Sequence, residues 1–403
     1  MTDRGAKRLV SKRVAAPVTI ALALMTLPGA GSTDVGAQST ADTRALARIE
    51  NPPLGLPVVP IPGDNPATAA KIRLGRKLFF DRRLSHNGTM SCGMCHIPEQ
   101  GFSNNELATP VGTGGSSLRR SAPALYNVAY FRHLFHDGRE TRLETQVIAP
   151  LLDAREMANP SIGYLLDKIE GMADYREPFQ QAFRAGPSIE RIGRAIATWE
   201  RSLVSADSPF DRWYYGDDPQ ALSPRAIAGF ELFSGRAGCT TCHLVGEQYA
   251  TFNDNAFHNT GIGWPGPRAA TQTVEVAPGV EIQVSRETIQ SVGEPRAPDR
   301  GRYEVTLDPR HLRQFKTPSL RNVALTAPYM HDGSLQSLEQ VVRYYNRGGN
   351  ADPNLDAAIQ PLGLSDSEVA DIVAFLVSLT GSNIAELTAD ARSVATGNPG
   401  ADE

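Results

Sequence analysis

The sequence predicts a mainly α-helical protein made of two tandem domains of one ancestry, with a small β-hairpin inserted in the second. Three observations carry this. The four cysteines form two C-x-x-C-H motifs, Cys92-Gly-Met-Cys95-His96 and Cys239-Thr-Thr-Cys242-His243, with no cysteine left over. Each motif follows an apolar, helix-like stretch, Lys71 to Phe80 in one half and Ala226 to Phe233 in the other, where Ser223 and Pro224 read as N-cap and first helical residue. Downstream, Pro123-Ala-Leu-Tyr-Asn127-Val-Ala129 recurs as Pro318-Ser-Leu-Arg-Asn322-Val-Ala324, and His136-Asp137-Gly138 as His331-Asp332-Gly333, both at an offset of 195 that also carries Leu143 and Glu144 onto Leu338 and Glu339. A constant offset across separate blocks is the mark of a duplication.

Composition sets the outer limits. With 403 residues, 41% apolar and 21% charged, the chain has ordinary globular usage and room for two or three domains, which excludes the disordered class. The net charge of −4 supplies no basic surface for nucleic acid. Residues 1–37 read as a secretory signal. Arg4, Lys7, Arg8, Lys12 and Arg13 precede an uncharged run from Val14 to Leu27, and Val35-Gly36-Ala37 offers a cleavage site. The apolar run is shorter than the roughly 20 residues a bilayer span needs. The expectation is an exported, periplasmic protein with no permanent membrane span.

The C-x-x-C-H spacing has a chemical reason. Two thiols two residues apart reach the two vinyl groups of one haem, and the adjacent histidine turns back to ligate its iron. The motifs therefore predict two covalently bound c-type haems, held by Cys92, Cys95 and His96 and by Cys239, Cys242 and His243. A zinc site built from both cysteine pairs would leave His96 and His243 unexplained.

The remaining elements follow in order. Ile189 to Leu203 has helical periodicity and 207–224 is turn-rich, which places a boundary near 205. Thr273 to Val284 alternates around Pro278-Gly279 and reads as the hairpin. Ser365 and Glu368 form a capping box, with an apolar face over Val369, Ile372, Val373, Leu376 and Leu379 and Gly381 as the stop. The predicted organisation is signal 1–37, flexible linker 38–64, first haem domain 65–205, second haem domain 206–385, and flexible tail 386–403. The 244–317 stretch is longer than haem binding requires.

The ligand opposite each proximal histidine decides function: a filled position favours electron transfer, an open one admits a small molecule. Pro150 falls on Tyr345 at the 195 offset, so equivalent places carry a residue that cannot ligate and one that can. Met330, the only methionine after the second motif, is the competing thioether ligand. His86 and His258 read as peripheral groups, His331 as a possible hydrogen-bonding member of the second site, and His133 and His311 carry no signal.

From about Leu74 to Gly381 the chain resembles the bacterial dihaem cytochrome c peroxidases and their MauG-like branch. The blocks that carry the resemblance are LGRKLFFDRRLSHNGTMSCGMCH, APALYNV, FHDGRETRLETQVIAPLLDAREM and KTPSLRNVALTAPYMHDGSLQSLEQVV. The resemblance implies two cytochrome c-like domains, an active first haem, an electron-transferring second haem and a calcium ion between them. It places the family's distal-pocket Gln at Gln146, its pocket Pro at Pro150 and its catalytic Glu at Glu156. Such a carboxyl can move a proton between the two oxygens of peroxide.

Four positions depart from the classical peroxidase pattern. Thr113 stands where a blocking His is expected, Tyr345 replaces a distal Met as in the MauG-like branch, and His136 replaces an inter-haem Trp. Ser121 replaces an Asn that faces calcium, while the carbonyl donors map to Thr326 and Pro328. The function implied is peroxide reduction at the first haem, with electrons from a small c-type cytochrome or cupredoxin through the second. A MauG-like oxidase acting on a protein side chain is the alternative, and a dihaem electron carrier without catalysis the third reading.

Overall fold

The computed structural model describes residues 32–264, 271–277, 280–285, 288 and 298–394; most of the predicted signal lies outside them. The described chain is mainly helical, with two small antiparallel two-stranded sheets. None of the described helices is long and apolar enough to cross a membrane.

Two helix pairs organise the molecule. The helix Ala69–Phe80 is capped by Thr68, whose hydroxyl accepts from the Lys71 backbone N–H at 3.2 Å. It packs against the helix Ile189–Arg201. The helix Pro224–Ser234, capped by Ser223 as expected, packs in the same way against Asp366–Val377. Both pairs cross where a glycine lets backbones touch. A Cβ on Gly75 would stand 2.0 Å from the Ala195 carbonyl oxygen, and one on Gly229 would stand 1.9 Å from that of Asp371.

The repeated Asn127 and Asn322 both adopt left-handed backbone, at φ 59° and 60°. The backbone N–H of Asn127 donates to Leu203 O and that of Asn322 to Leu379 O, so each repeat ties down the end of its closing helix. The side chains finish the tie: Asn127 Oδ1 accepts from Ser205 N and Asn322 Oδ1 from Gly381 N. This explains a difference from expectation, since the capped helix ends at Val377 and Gly381 belongs to the tether beyond it. Each half buries its own apolar cluster. The first runs from Ala45 to Val204 and is joined by Leu387 and Ala391, and the second runs from Phe210 to Leu379.

Within the described residues, the ends expected to be flexible over 38–64 and 386–403 hold packed helices; 395–403 lie outside the described residues. A helix spans Ser32–Glu50, and its Ala45 and Ile49 are buried in the first core, while Asp42 pairs with the buried Arg76. The helix Ile384–Arg392 returns to the same core through Leu387 and Ala391. Asp390 pairs with Arg48 at 2.9 Å and Arg392 with Glu99 at 2.6 Å. The apolar spacing was present in the sequence, but only the fold supplies the surface it covers.

The expected hairpin forms from strands Thr271–Ala277 and Val280–Ser285, with Val274 opposite Ile282; its turn at 278–279 lies outside the described residues. A second, minimal sheet pairs Phe257–His258 with Phe315–Lys316.

Gly75→Ala should lower stability by about 1–3 kcal/mol through overpacking, read as a fall in the thermal midpoint of the holoprotein. Gly163→Ala is the control, because its Cβ would find nothing nearer than 3.8 Å.

Candidate haem sites

Each C-x-x-C-H motif folds as one tight helical turn, Cys92–Met94 and Cys239–Thr241, from which the histidine backbone N–H bonds back to the first cysteine's carbonyl, at 2.9 and 3.0 Å. The imidazoles are fixed alike. His96 Nδ1 lies 3.0 Å from Phe102 O, and His243 Nδ1 lies 2.9 Å from Phe252 O. An Nδ1–H donating to a carbonyl leaves Nε2 with its lone pair free for iron. Burial lowers the pKa of both rings, which favours that neutral form.

A cavity of about 1040 Å³ opens beside the first motif. Cys92, Cys95 and His96 line it together with Gln146, Pro150 and Glu156, so the structure joins all six residues assigned to the first site. Gln146 ends the helix Leu143–Gln146, and Pro150 sits in the next helix, Ile148–Leu152. Glu156 follows on a turn in which its N–H donates to Asp153 O at 3.0 Å and Met157 N donates to Pro150 O at 3.1 Å. Burial first, and then Asp153, raises the pKa of the Glu156 carboxyl.

Thr113 does not line this cavity. Its hydroxyl donates to Glu156 O and its backbone N–H to Arg155 O, fastening the loop to the turn that carries Glu156. Glu200 is a cavity residue that sequence reading missed, because a single Glu near a helix end has no distinguishing signal.

The 244–317 stretch also reaches this cavity. Glu304, Val305 and Lys316 line it, Arg302 donates to Asp137 O and Gly138 O at 2.9 and 2.7 Å, and Lys316 N donates to His136 O at 2.8 Å. Lys316 Nζ lies 4.0 Å from the Phe131 ring centroid, and burial pushes its pKa down to about 8. His136 is also in the wall, held by Ser121 O at 3.0 Å from Nε2.

Around the second motif, Tyr345 lies on the helix Leu338–Asn346, which occupies the place of the helices bearing Gln146 and Pro150. Its phenol is pushed above its usual pKa by burial, with Tyr344 and then the nearby Cys239 and Cys242 adding to the effect. Met330 instead sits at the junction between the halves, its carbonyl accepting from Ser121 Oγ at 3.0 Å. His258 is held between Asp356 and Asp254 at 2.6 and 2.8 Å. Cys242, Asp254 and His258 lie within 4.8 Å of one another, a grouping a metal could use only while Cys242 remained a free thiol. His331 stacks on Phe315, with ring centroids 3.6 Å apart.

The residues expected around calcium supply neutral oxygens only. Ser121 spends its hydroxyl hydrogen on Met330 O, the Thr326 hydroxyl donates to Val323 O at 3.1 Å, and neither these residues nor Pro328 brings a carboxylate. Tight calcium sites rest on several carboxylate oxygens.

A mainly helical fold that presents two C-x-x-C-H turns, each with its histidine held through Nδ1, has the features of a dihaem c-type protein, and the first motif opens on a cavity. Comparison with known proteins agrees. Residues 69–219 match the family model for di-haem cytochrome c peroxidase. The chain is 36% identical to cytochrome-c peroxidase IdrP1 of Denitromonas iodatirespirans, over 86% of this chain and 91% of that one. It is 35% identical to the methylamine utilization protein MauG of Methylorubrum extorquens, over 90% and 94%. A solved MauG-like protein associated with microbial copper homeostasis superposes with a TM-score of 0.69 at 31% identity, covering 83% of this chain and 96% of that one. The chain belongs to the dihaem cytochrome c peroxidase and MauG family.

With Tyr345 beside the second motif, Tyr345→Phe should leave both haems attached but change the optical and spin-resonance signals of one. Met330→Leu should leave them unchanged; the opposite pattern would assign the ligand to Met330.

Proposed function

We propose that this protein reduces hydrogen peroxide at its first haem, with electrons delivered through the second. The convergence of Gln146, Pro150 and Glu156 on the cavity that His96 enters is the observation that carries this reading. A carrier of electrons alone has no use for an acid in such a cavity.

When bound, the haem supplies the iron and the electrons that cleave the O–O bond. The residues supply the rest. Pro150 presents no donor atom, so the side facing Glu156 stays accessible to peroxide. Glu156 takes the proton from the oxygen that stays behind and returns it to the oxygen that leaves as water. Its raised pKa suits that exchange, because a carboxyl that holds its proton more readily can also give it back near neutral pH. Gln146 can orient peroxide through its amide but has no proton to exchange.

Tyr345 is the residue best placed to close the second haem against peroxide. An anionic oxygen ligand favours ferric iron and gives that haem a lower potential than a thioether would. Tyr345 in place of Met, together with extended identity to MauG, favours a second reading in which the oxidising equivalents are used on a protein side chain. The charged start and apolar run of residues 4–27 support export to the periplasm, where a small c-type cytochrome or cupredoxin would be the donor.

Glu156→Gln should keep both haems while slowing the peroxide-induced Soret change in stopped flow by about 100-fold to 10,000-fold; Gln146→Ala should cost less. An unchanged rate would remove Glu156 from the chemistry.

Because Thr113 carries no ligating nitrogen and is bonded to the Glu156 turn, the fully oxidised protein should react with peroxide without prior reduction. A lag abolished by half-reduction would show that another residue blocks the iron.

A further inference from the structure

One group in the first cavity is used neither for attachment, nor for ligation, nor for proton transfer. Glu200, in the last turn of the helix Ile189–Arg201, is 5% exposed and lines the cavity with Phe79, Cys92 and Ile196. Its Oε2 is buried without a hydrogen-bond partner. The next residue, Arg201, does not serve it, being paired with Glu144 at 2.7 Å. Leaving a buried carboxyl oxygen without a protein partner is costly, so a packing role gives no reason for an acid at this position.

The duplication supplies an internal control. Ala195 and Asp371 meet Gly75 and Gly229 at the two crossings, Leu203 and Leu379 accept from the two repeated asparagines, and Ser205 and Gly381 donate to them. One constant offset relates all three pairs, and it carries Glu200 onto Leu376, a buried member of the second core. The fold is therefore satisfied by an apolar side chain here. The acid is particular to the half that carries the cavity.

We propose that Glu200 is a residue of the first haem site, its carboxyl directed at the haem and not at the protein, and that it holds the potential of that haem below the value an apolar wall would give. Burial pushes the Glu200 pKa up to about 8, so it is the ionised carboxylate, drawn out by the positive charge of a ferric haem, that places negative charge near the iron and favours the oxidised state, and a water-poor surrounding strengthens the effect. The first haem is thus tuned by an outer acid, and the second, with Leu376 at the same place, is not. This rests on the first cavity holding a haem, but not on the role of Glu156.

Spectroelectrochemical titration of the dihaem protein tests it without peroxide, comparing wild type with Glu200→Leu and the near-isosteric Glu200→Gln, the haems being told apart by their ligation-dependent spectra. The expected result is a raised midpoint potential for the first haem in Glu200→Leu, a smaller rise in Glu200→Gln, and an unmoved second haem. If Glu200→Leu fails to incorporate haem, Glu200→Gln carries the test. An unmoved first potential in a fully loaded variant, or an equal shift at both haems, overturns the proposal. Failure of the peroxidase reading would leave these potentials unaffected.

Discussion

Everything in this molecule depends on a close crossing of two helices made twice. A C-x-x-C-H turn can offer two thiols and an imidazole to one porphyrin only if the chain entering it is held still. Gly75 and Gly229 achieve this by removing the one atom that would keep the helices apart, so backbone meets backbone at Ala195 and Asp371. From those crossings the asparagine tethers, the histidine-to-carbonyl bonds at Phe102 and Phe252, and the two apolar clusters follow in the same order in each half.

Function arises where the halves stop being alike. Three substitutions at equivalent places carry most of the difference: Pro150 against Tyr345, Glu200 against Leu376, and Tyr126 against Arg321. The first leaves one cavity accessible and sets a phenol beside the other motif. The third exchanges a buried aromatic of the first core for a buried cation that Asp211 pairs at 2.8 Å and that also bonds Gly55 O and Ala250 O. Such a cation is tolerated only because every donor it turns inward finds an oxygen. Arg321 thereby ties the segment before the first helix pair to the second half.

The joint between the halves is polar and continuous. Ser121 links to Met330 O and His331 O, His136 links to Ser121 O, and Lys316 links to His136 O. These bonds join the two halves, and the His136 imidazole is the aromatic side chain among them. They give the long 244–317 stretch a structural purpose as a wall of the first cavity, contributed by the second half.

The sequence by itself determined the local chemistry. The C-x-x-C-H spacing, the repeated PALYNVA and PSLRNVA blocks, the Ser223 cap and the Ser365–Glu368 box each act over a few residues, and each appears where the pattern put it. The duplication offset set Pro150 against Tyr345, and resemblance to a family supplied Gln146 and Glu156, which no local rule would have found. Tertiary structure alone decided what the described ends do, what Thr113 bonds to, that the Met330 carbonyl meets Ser121, and that Glu200 Oε2 stands without a partner. The physical reason is the same in each case. Burial and pairing are properties of surfaces brought together from distant parts of the chain, whereas a cap or a haem-attachment turn is complete within one segment of it.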